Sequence, residues 1–140
     1  MTSQELGAMG EHYVARLLTG VGADVEYSGP ADLLVDGWPV EVKAARSARY
    51  RTDARRGFQF CLHRAGRRGI QSVVVVMLCY WQAGREPVAF VVPSEAIGKR
   101  SKIVISSQPW TYNGMWSRYY QAWDVLADVM GELTPGRVVV

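Results

Sequence analysis

The chain has 140 residues, of which 49% are apolar and 21% charged, with a formal net charge of +3. This length suits one domain with a hydrophobic core, and the apolar content excludes a disordered chain. The longest apolar run, Val73 to Trp81, is too short to span a bilayer, and residues 1–6 do not resemble the start of a secretory signal. We therefore expect one domain over residues 1–140 in a soluble, cytoplasmic protein with no membrane partner.

The chain contains two cysteines, Cys61 and Cys79. Two are too few for a disulfide framework, and their spacing is not that of a zinc site. Both have apolar neighbours in the sequence, which predicts that both are buried, reduced thiols.

The first half of the chain predicts a helix followed by strands. Ser3 is the predicted N-cap of a helix that ends near Gly20 or Gly22. Residues 46–57 lack an apolar period, which predicts a solvated loop or a short helix. The other predicted elements are strands over residues 24–27, 31–35 and 38–45, a hairpin turn at Asp36-Gly37, and an extended segment over residues 58–63.

The second half begins with a continuous apolar, β-branched run, Val73 to Tyr80, which is typical of a strand buried on both faces. The later predictions are strands over residues 87–92 and 102–106, helices over 94–97 and 116–130, and a tail or edge strand over 131–140. These elements predict an α/β sandwich with a mixed central sheet, in which a helix and a three-stranded meander come first. The core covers about residues 1–92, and residues 93–140 add strands and a helix.

Three ionisable residues are predicted to converge near the meander. Because side chains alternate along a strand, Glu41 and Lys43 share one face of the third strand. The hairpin brings Asp32 beside them. Burying such groups without partners costs several kcal/mol, so the cluster requires a compensating partner or a use.

Phosphodiester hydrolysis is the chemistry that suits this cluster. Two carboxylates provide hard oxygen ligands for Mg²⁺, which retains several waters and can bridge to a phosphate. The metal lowers the pKa of a bound water, and a nearby lysine can orient that water or offset charge in the transition state. The alternative is a simple surface ion pair between Glu41 and Lys43, worth less than about 1 kcal/mol.

The pattern of Asp32, eight residues and Glu41-Val42-Lys43 across a hairpin, after a helix that carries Gly10-Glu11, resembles the PD-(D/E)XK nuclease superfamily. The resemblance covers residues 1 to about 80 and implies a restriction endonuclease-like fold. The family includes restriction endonucleases, Holliday junction resolvases and some intron-encoded homing endonucleases. Ala31 stands where the family's proline precedes the aspartate, and Pro30 lies one position earlier.

The resemblance implies roles for individual residues. Asp32 and Glu41 would bind the metal together with the Val42 carbonyl, and Lys43 would act on the water. Glu11 matches a helical glutamate that many members place over the metal. Gln59 is a further catalytic candidate, because some members carry a polar residue there that orients water or contacts phosphate. The implied cofactor is Mg²⁺, which Mn²⁺ can replace.

Basic and aromatic residues suggest contacts to nucleic acid. Arginines that follow Lys43 can neutralise phosphates without reading sequence: Arg46, Arg49, Arg51, Arg55, Arg56, Arg64, Arg67 and Arg68. The alternative is a solvated basic loop. A second group is rich in aromatic rings that can stack on bases, although helical spacing favours core packing or a dimer interface: Trp110, Tyr112, Trp116, Tyr119, Tyr120 and Trp123.

Together these features predict a Mg²⁺-dependent DNA endonuclease that forms a dimer or higher oligomer. A small domain without an evident recognition module favours a structure-selective, Holliday junction resolvase-like enzyme. A sequence-specific homing or restriction-type endonuclease and a non-catalytic DNA-binding subunit are the alternatives, and an RNA substrate stays open.

Overall fold

The computed structural model describes residues 1–28, 32–49, 56–62 and 72–133, and only the backbone of Arg49, Glu132 and Leu133. No helix within these residues is long and apolar enough to cross a membrane. The elements in chain order are α1 (Ser3–Gly20), β1 (Val25–Tyr27), β2 (Leu33–Val35), β3 (Trp38–Arg46), β4 (Ala48–Arg49), β5 (Arg56–Cys61), β6 (Val74–Tyr80), β7 (Val88–Pro93), α2 (Ser94–Ile97), β8 (Lys102–Ser106), a 3₁₀ helix (Ser117–Tyr119) and α3 (Asp124–Leu133).

Helix α1 starts one residue earlier than the sequence predicts. Thr2 is the N-cap, with an extended backbone, and its side chain accepts a hydrogen bond from the Glu5 N–H at 3.1 Å. Ser3 is already helical, so the prediction of Ser3 as the cap was wrong by one position. The helix ends at Gly20, as predicted, and buries one face that includes Leu6, Val14 and Leu18.

A five-stranded mixed sheet lies at the centre, in the order β1-β2-β3-β6-β7. Strands β3 and β6 are parallel, and the other neighbours are antiparallel. Residues Val74 to Cys79 of β6 are all buried, as the apolar run predicts. The predicted α/β fold with a mixed central sheet is confirmed.

Each face of this sheet packs against a different layer. Helices α1 and α3 cover one face, where residues such as Val14 and Leu126 contact alternate residues of β3 and β6. The other face packs against a three-stranded antiparallel sheet, in the order β4-β5-β8, through residues such as Phe58 and Ile105. The central sheet is therefore buried on both sides.

The structure differs from the predictions in three segments. Strand β4 lies in the stretch that was predicted as a loop or short helix. Residues 116–130 are not one helix, because Tyr120 bridges to Phe90 of β7 and the Gln121 backbone has a φ of 50°, which interrupts a helix. Cys61 is exposed rather than buried, since alternation with the buried Phe60 turns it outward.

Candidate active site

The site forms where β2 ends and β3 continues. The turn at Asp36-Gly37 has φ values of 49° and 84°, the positive pair of a type I′ hairpin, as predicted. It sets the register in which Leu33 pairs with Val40. Asp32, one step beyond this pair, accepts a hydrogen bond through Oδ2 from the Val42 N–H at 2.7 Å. The backbone of β3 therefore fixes the position of the Asp32 carboxylate.

Alternation along β3 places Glu41 and Lys43 on the same face, as predicted. Val40 and Val42 point into the core beneath the helices. Glu41, on the opposite face, is only 4% exposed, and its Oε2 lies 3.9 Å from Lys43 Nζ. The Lys43 side chain is 25% exposed, so it links a buried carboxylate to the surface.

Glu11 approaches the site from α1. A Cβ on the preceding residue, Gly10, would lie 3.2 Å from Ala44 Cβ and 3.6 Å from Val42 Cγ1, so the helix packs closely on β3 here. Partial burial and the negative charge of Asp32 raise the pKa of Glu11. Glu11 therefore adds negative charge beside Asp32.

The donor set fits a hard divalent cation. In the described part of the chain, no three His, Cys, Asp or Glu side chains form a group that could hold a metal ion. Asp32 and Glu41 thus provide at most a two-carboxylate site, with Glu11 beside it. The N–H and C=O of a strand residue point to the same side, so the Val42 carbonyl faces the edge at which Asp32 lies. Few protein oxygens and several retained waters are typical of Mg²⁺.

The structure does not bring Gln59 into this cluster. Gln59 is exposed on β5 and points away from the buried Phe58 and Phe60. No hydrogen bond or ion pair between described residues joins it to Asp32, Glu41 or Lys43. In the sequence, the reason for proposing Gln59 was its position after the strand that carries Lys43.

The arginines divide into two groups. Arg46 ends β3 and donates to the Met1 carbonyl at 3.1 Å, and Arg56 begins β5 and donates to the Ser47 carbonyl at 3.2 Å. The backbone of Arg49 lies in β4. The remaining candidates lie outside the described residues: Arg51, Arg55, Arg64, Arg67 and Arg68.

The sequence predictions missed the packing role of Gly10 and the position of Arg85. Gly10 permits the close packing of α1 on β3. In the sequence, this role is indicated by a glycine between Leu6 and Val14 on the buried face of the helix. Arg85 lies in the turn after β6, outside the arginine-rich stretch, and lines a pocket together with Arg46 and Arg56. Only the fold brings these three arginines together.

Comparison with known proteins shows a similarity at the level of the fold. No family model matches the chain, and no curated protein matches it. Among solved structures, it is similar to that of the bacterial homing endonuclease I-Ssp6803I, with a TM-score of 0.66 and 16% identity. The chain shares the fold of a homing endonuclease. The match covers 95% of this chain and 99% of the other, so it extends well beyond the first 80 residues.

Proposed function

We propose that the chain is a Mg²⁺-dependent DNA endonuclease. The observation that carries the proposal is the buried Glu41 carboxylate, 3.9 Å from Lys43 on one strand, beside an Asp32 carboxylate fixed by the Val42 N–H. A buried carboxylate that lies next to Asp32 in the strand register is costly for stability, and a bound cation would offset that cost. The shared fold with an endonuclease supports the same activity.

Each residue has a defined part in this proposal. Asp32, Glu41 and the Val42 carbonyl would hold the metal, which supplies an acidified water and stabilises charge on the phosphate oxygens. Lys43 reaches the surface from the buried carboxylate, so it is placed to orient the attacking water or to offset charge in the transition state. Glu11, next to Asp32, adds to the negative field that attracts the cation.

Cleavage of supercoiled plasmid DNA in Mg²⁺ or Mn²⁺ tests this function. Asp32→Asn keeps an oxygen acceptor for the Val42 N–H but removes the charge, and Lys43→Ala removes the cation. Each is expected to lower the cleavage rate by about 100-fold or more with an unchanged circular dichroism spectrum. Asp36→Asn is the matched control, because the Asp36 side chain also accepts a backbone hydrogen bond, from Asp24, but lies in the hairpin turn. Full cleavage by both site variants would refute the proposal.

The substrate structure is a separate proposal. The absence of an evident recognition module among the described residues favours a structure-selective, junction resolvase-like enzyme. The structural similarity to a homing endonuclease favours the second candidate, a sequence-specific enzyme that cuts duplex DNA. Rates on four-way junctions, flaps and linear duplexes distinguish the two, since the first candidate requires faster cutting of the branched substrates.

We also propose that the chain acts as a symmetric oligomer. One site cuts one strand, so paired cuts in a duplex or a junction need two copies related by symmetry. Light scattering during size-exclusion chromatography should give a dimer or larger species, and a monomer that still makes paired cuts would contradict this.

A further inference from the structure

A groove lies at the end of the molecule where β3 and β6 finish. Two adjoining pockets, of about 550 Å³ and about 660 Å³, share Ser47, Arg56, Trp81 and Gln82. The first pocket is bounded by α1 and the turn after β6, and the second by residues 107–111. Together they form one continuous depression, called here the arginine–tryptophan groove.

The groove is positively charged. It is lined by Arg46, Arg56 and Arg85, and no Asp or Glu is among its described lining residues. Arg46 and Arg56 donate to backbone carbonyls, and within the described residues no ion pair joins any of the three arginines to a carboxylate. Three guanidinium groups that form no ion pair with a described carboxylate attract an anionic ligand.

The groove also presents aromatic surface. Trp81 and Trp110 meet edge to face with ring centroids 5.1 Å apart, and Trp110 remains 45% exposed. The Trp81 indole N–H donates to the Glu86 carbonyl at 3.0 Å, which fixes its orientation. Exposed Gln82 and Gln108 side chains border the rings with amide donors and acceptors. Arginines interleaved with exposed aromatic rings are the feature by which proteins bind unpaired nucleotides.

The groove is close to the candidate active site. Arg46 pairs with Tyr80 at the ends of the parallel strands β3 and β6. Lys43 lies three residues earlier on β3, about 10 Å away at the usual rise per strand residue. A strand of nucleic acid bound at Arg46 would therefore lie about 10 Å along β3 from Lys43.

We propose that the arginine–tryptophan groove binds a single-stranded segment of DNA next to the phosphodiester to be cut, with phosphates on Arg46 and Arg56 and a base stacked on Trp110. In a double helix the bases face inward and cannot stack on a side chain unless they are unpaired. The proposal rests on the proposed nuclease function only for the location of the cut, and DNA binding tests it independently of cleavage.

The test is fluorescence anisotropy of labelled oligothymidylate with the whole chain in EDTA, where no metal-dependent cleavage occurs. Trp110→Ala is expected to weaken binding about tenfold, and Trp110→Phe is expected to restore most of it. Arg46→Ala and Arg56→Ala should each reduce the slope of log K against log salt by about 0.7, the value for one phosphate of a single strand. Arg16→Ala is the matched control, because Arg16 is exposed on α1 beside a different pocket.

Wild-type affinity in the Trp110→Ala, Arg46→Ala and Arg56→Ala variants would overturn the proposal. Tighter binding of a matched duplex that is insensitive to Trp110→Ala, or of oligouridylate, would also overturn it. If the protein cuts no DNA but these variants weaken oligothymidylate binding as expected, the groove stands and the nuclease proposal fails. If the protein cuts DNA but the variants bind oligothymidylate as tightly as the wild type, the nuclease proposal stands and the groove proposal fails.

Discussion

The proposed metal-binding role of Glu41 opposes the contribution of its side chain to stability. Its side chain is 4% exposed, and its partner Lys43 is 3.9 Å away and partly in water. A carboxylate loses much of its hydration at such a position, and its interactions with neighbouring groups must offset that loss of free energy. Active sites commonly retain costly arrangements of this kind.

A substitution of Glu41 tests this opposition. Glu41→Gln removes the buried charge and keeps the shape, while Lys43 can still reach water. In EDTA, the free energy of unfolding in urea is expected to stay the same or to rise by about 1 kcal/mol, although cleavage is lost. A fall of more than about 1 kcal/mol would show that the carboxylate serves the fold rather than the reaction.

At the scale of elements, the packing of α1 on β3 places Glu11 beside Asp32. Gly10 makes this packing possible, since its missing Cβ would lie 3.1 Å from Leu78 and 3.2 Å from Ala44. Gly10→Val should destabilise the protein by about 1–3 kcal/mol through overpacking. Gly7→Ala, on the same helix with nothing within 4 Å of the added Cβ, should stabilise it by about 0.5–1 kcal/mol.

Urea unfolding of the two variants measures both effects. A stabilising shift for Gly10→Val, smaller than that for Gly7→Ala, is what helix propensity alone predicts and would mean that packing does not govern Gly10. Such a result would mean that the close packing of α1 on β3 at Gly10 does not explain the position of Glu11.

Elements with strong local signals were predictable from the sequence. The continuous apolar run gave β6, and Asp36-Gly37 gave the hairpin that aligns Asp32 with β3. Residues 124–130 of the predicted helix are helical in α3, but residues 116–123 are not one helix, because Tyr120 packs on Phe90 instead of continuing the helical spacing. The outward orientation of Gln59 followed from alternation, whereas its separation from the cluster depends on how two sheets pack.

At the scale of the molecule, two hydrophobic cores lie on opposite faces of the central sheet and share strands β3, β6 and β7. Val76 of β6 belongs to the core beneath the helices, and its neighbour Met77 belongs to the core between the sheets. Neither core can lose its packing without exposing one face of β6. We therefore propose that residues 1–140 behave as one cooperative unit, as the chain length suggests.

One substitution in each core tests this cooperativity. Leu18→Ala, beneath the helices, and Phe58→Ala, between the sheets, should each lower the unfolding free energy by about 2–5 kcal/mol. In each variant, circular dichroism and tryptophan fluorescence should report one coincident transition. Two separate transitions in either variant would indicate that the layers unfold independently.

The proposed metal ion would lie beside Asp32, Glu41 and the Val42 carbonyl of β3. A crystal soaked in Mn²⁺ and measured at an anomalous wavelength tests this most directly. We expect a peak within about 2.0–2.4 Å of oxygens from Asp32, Glu41 and the Val42 carbonyl, with waters completing the shell, and its loss in Asp32→Asn. A wild-type crystal with no peak there, or a peak that persists unchanged in Asp32→Asn, would contradict the central claim.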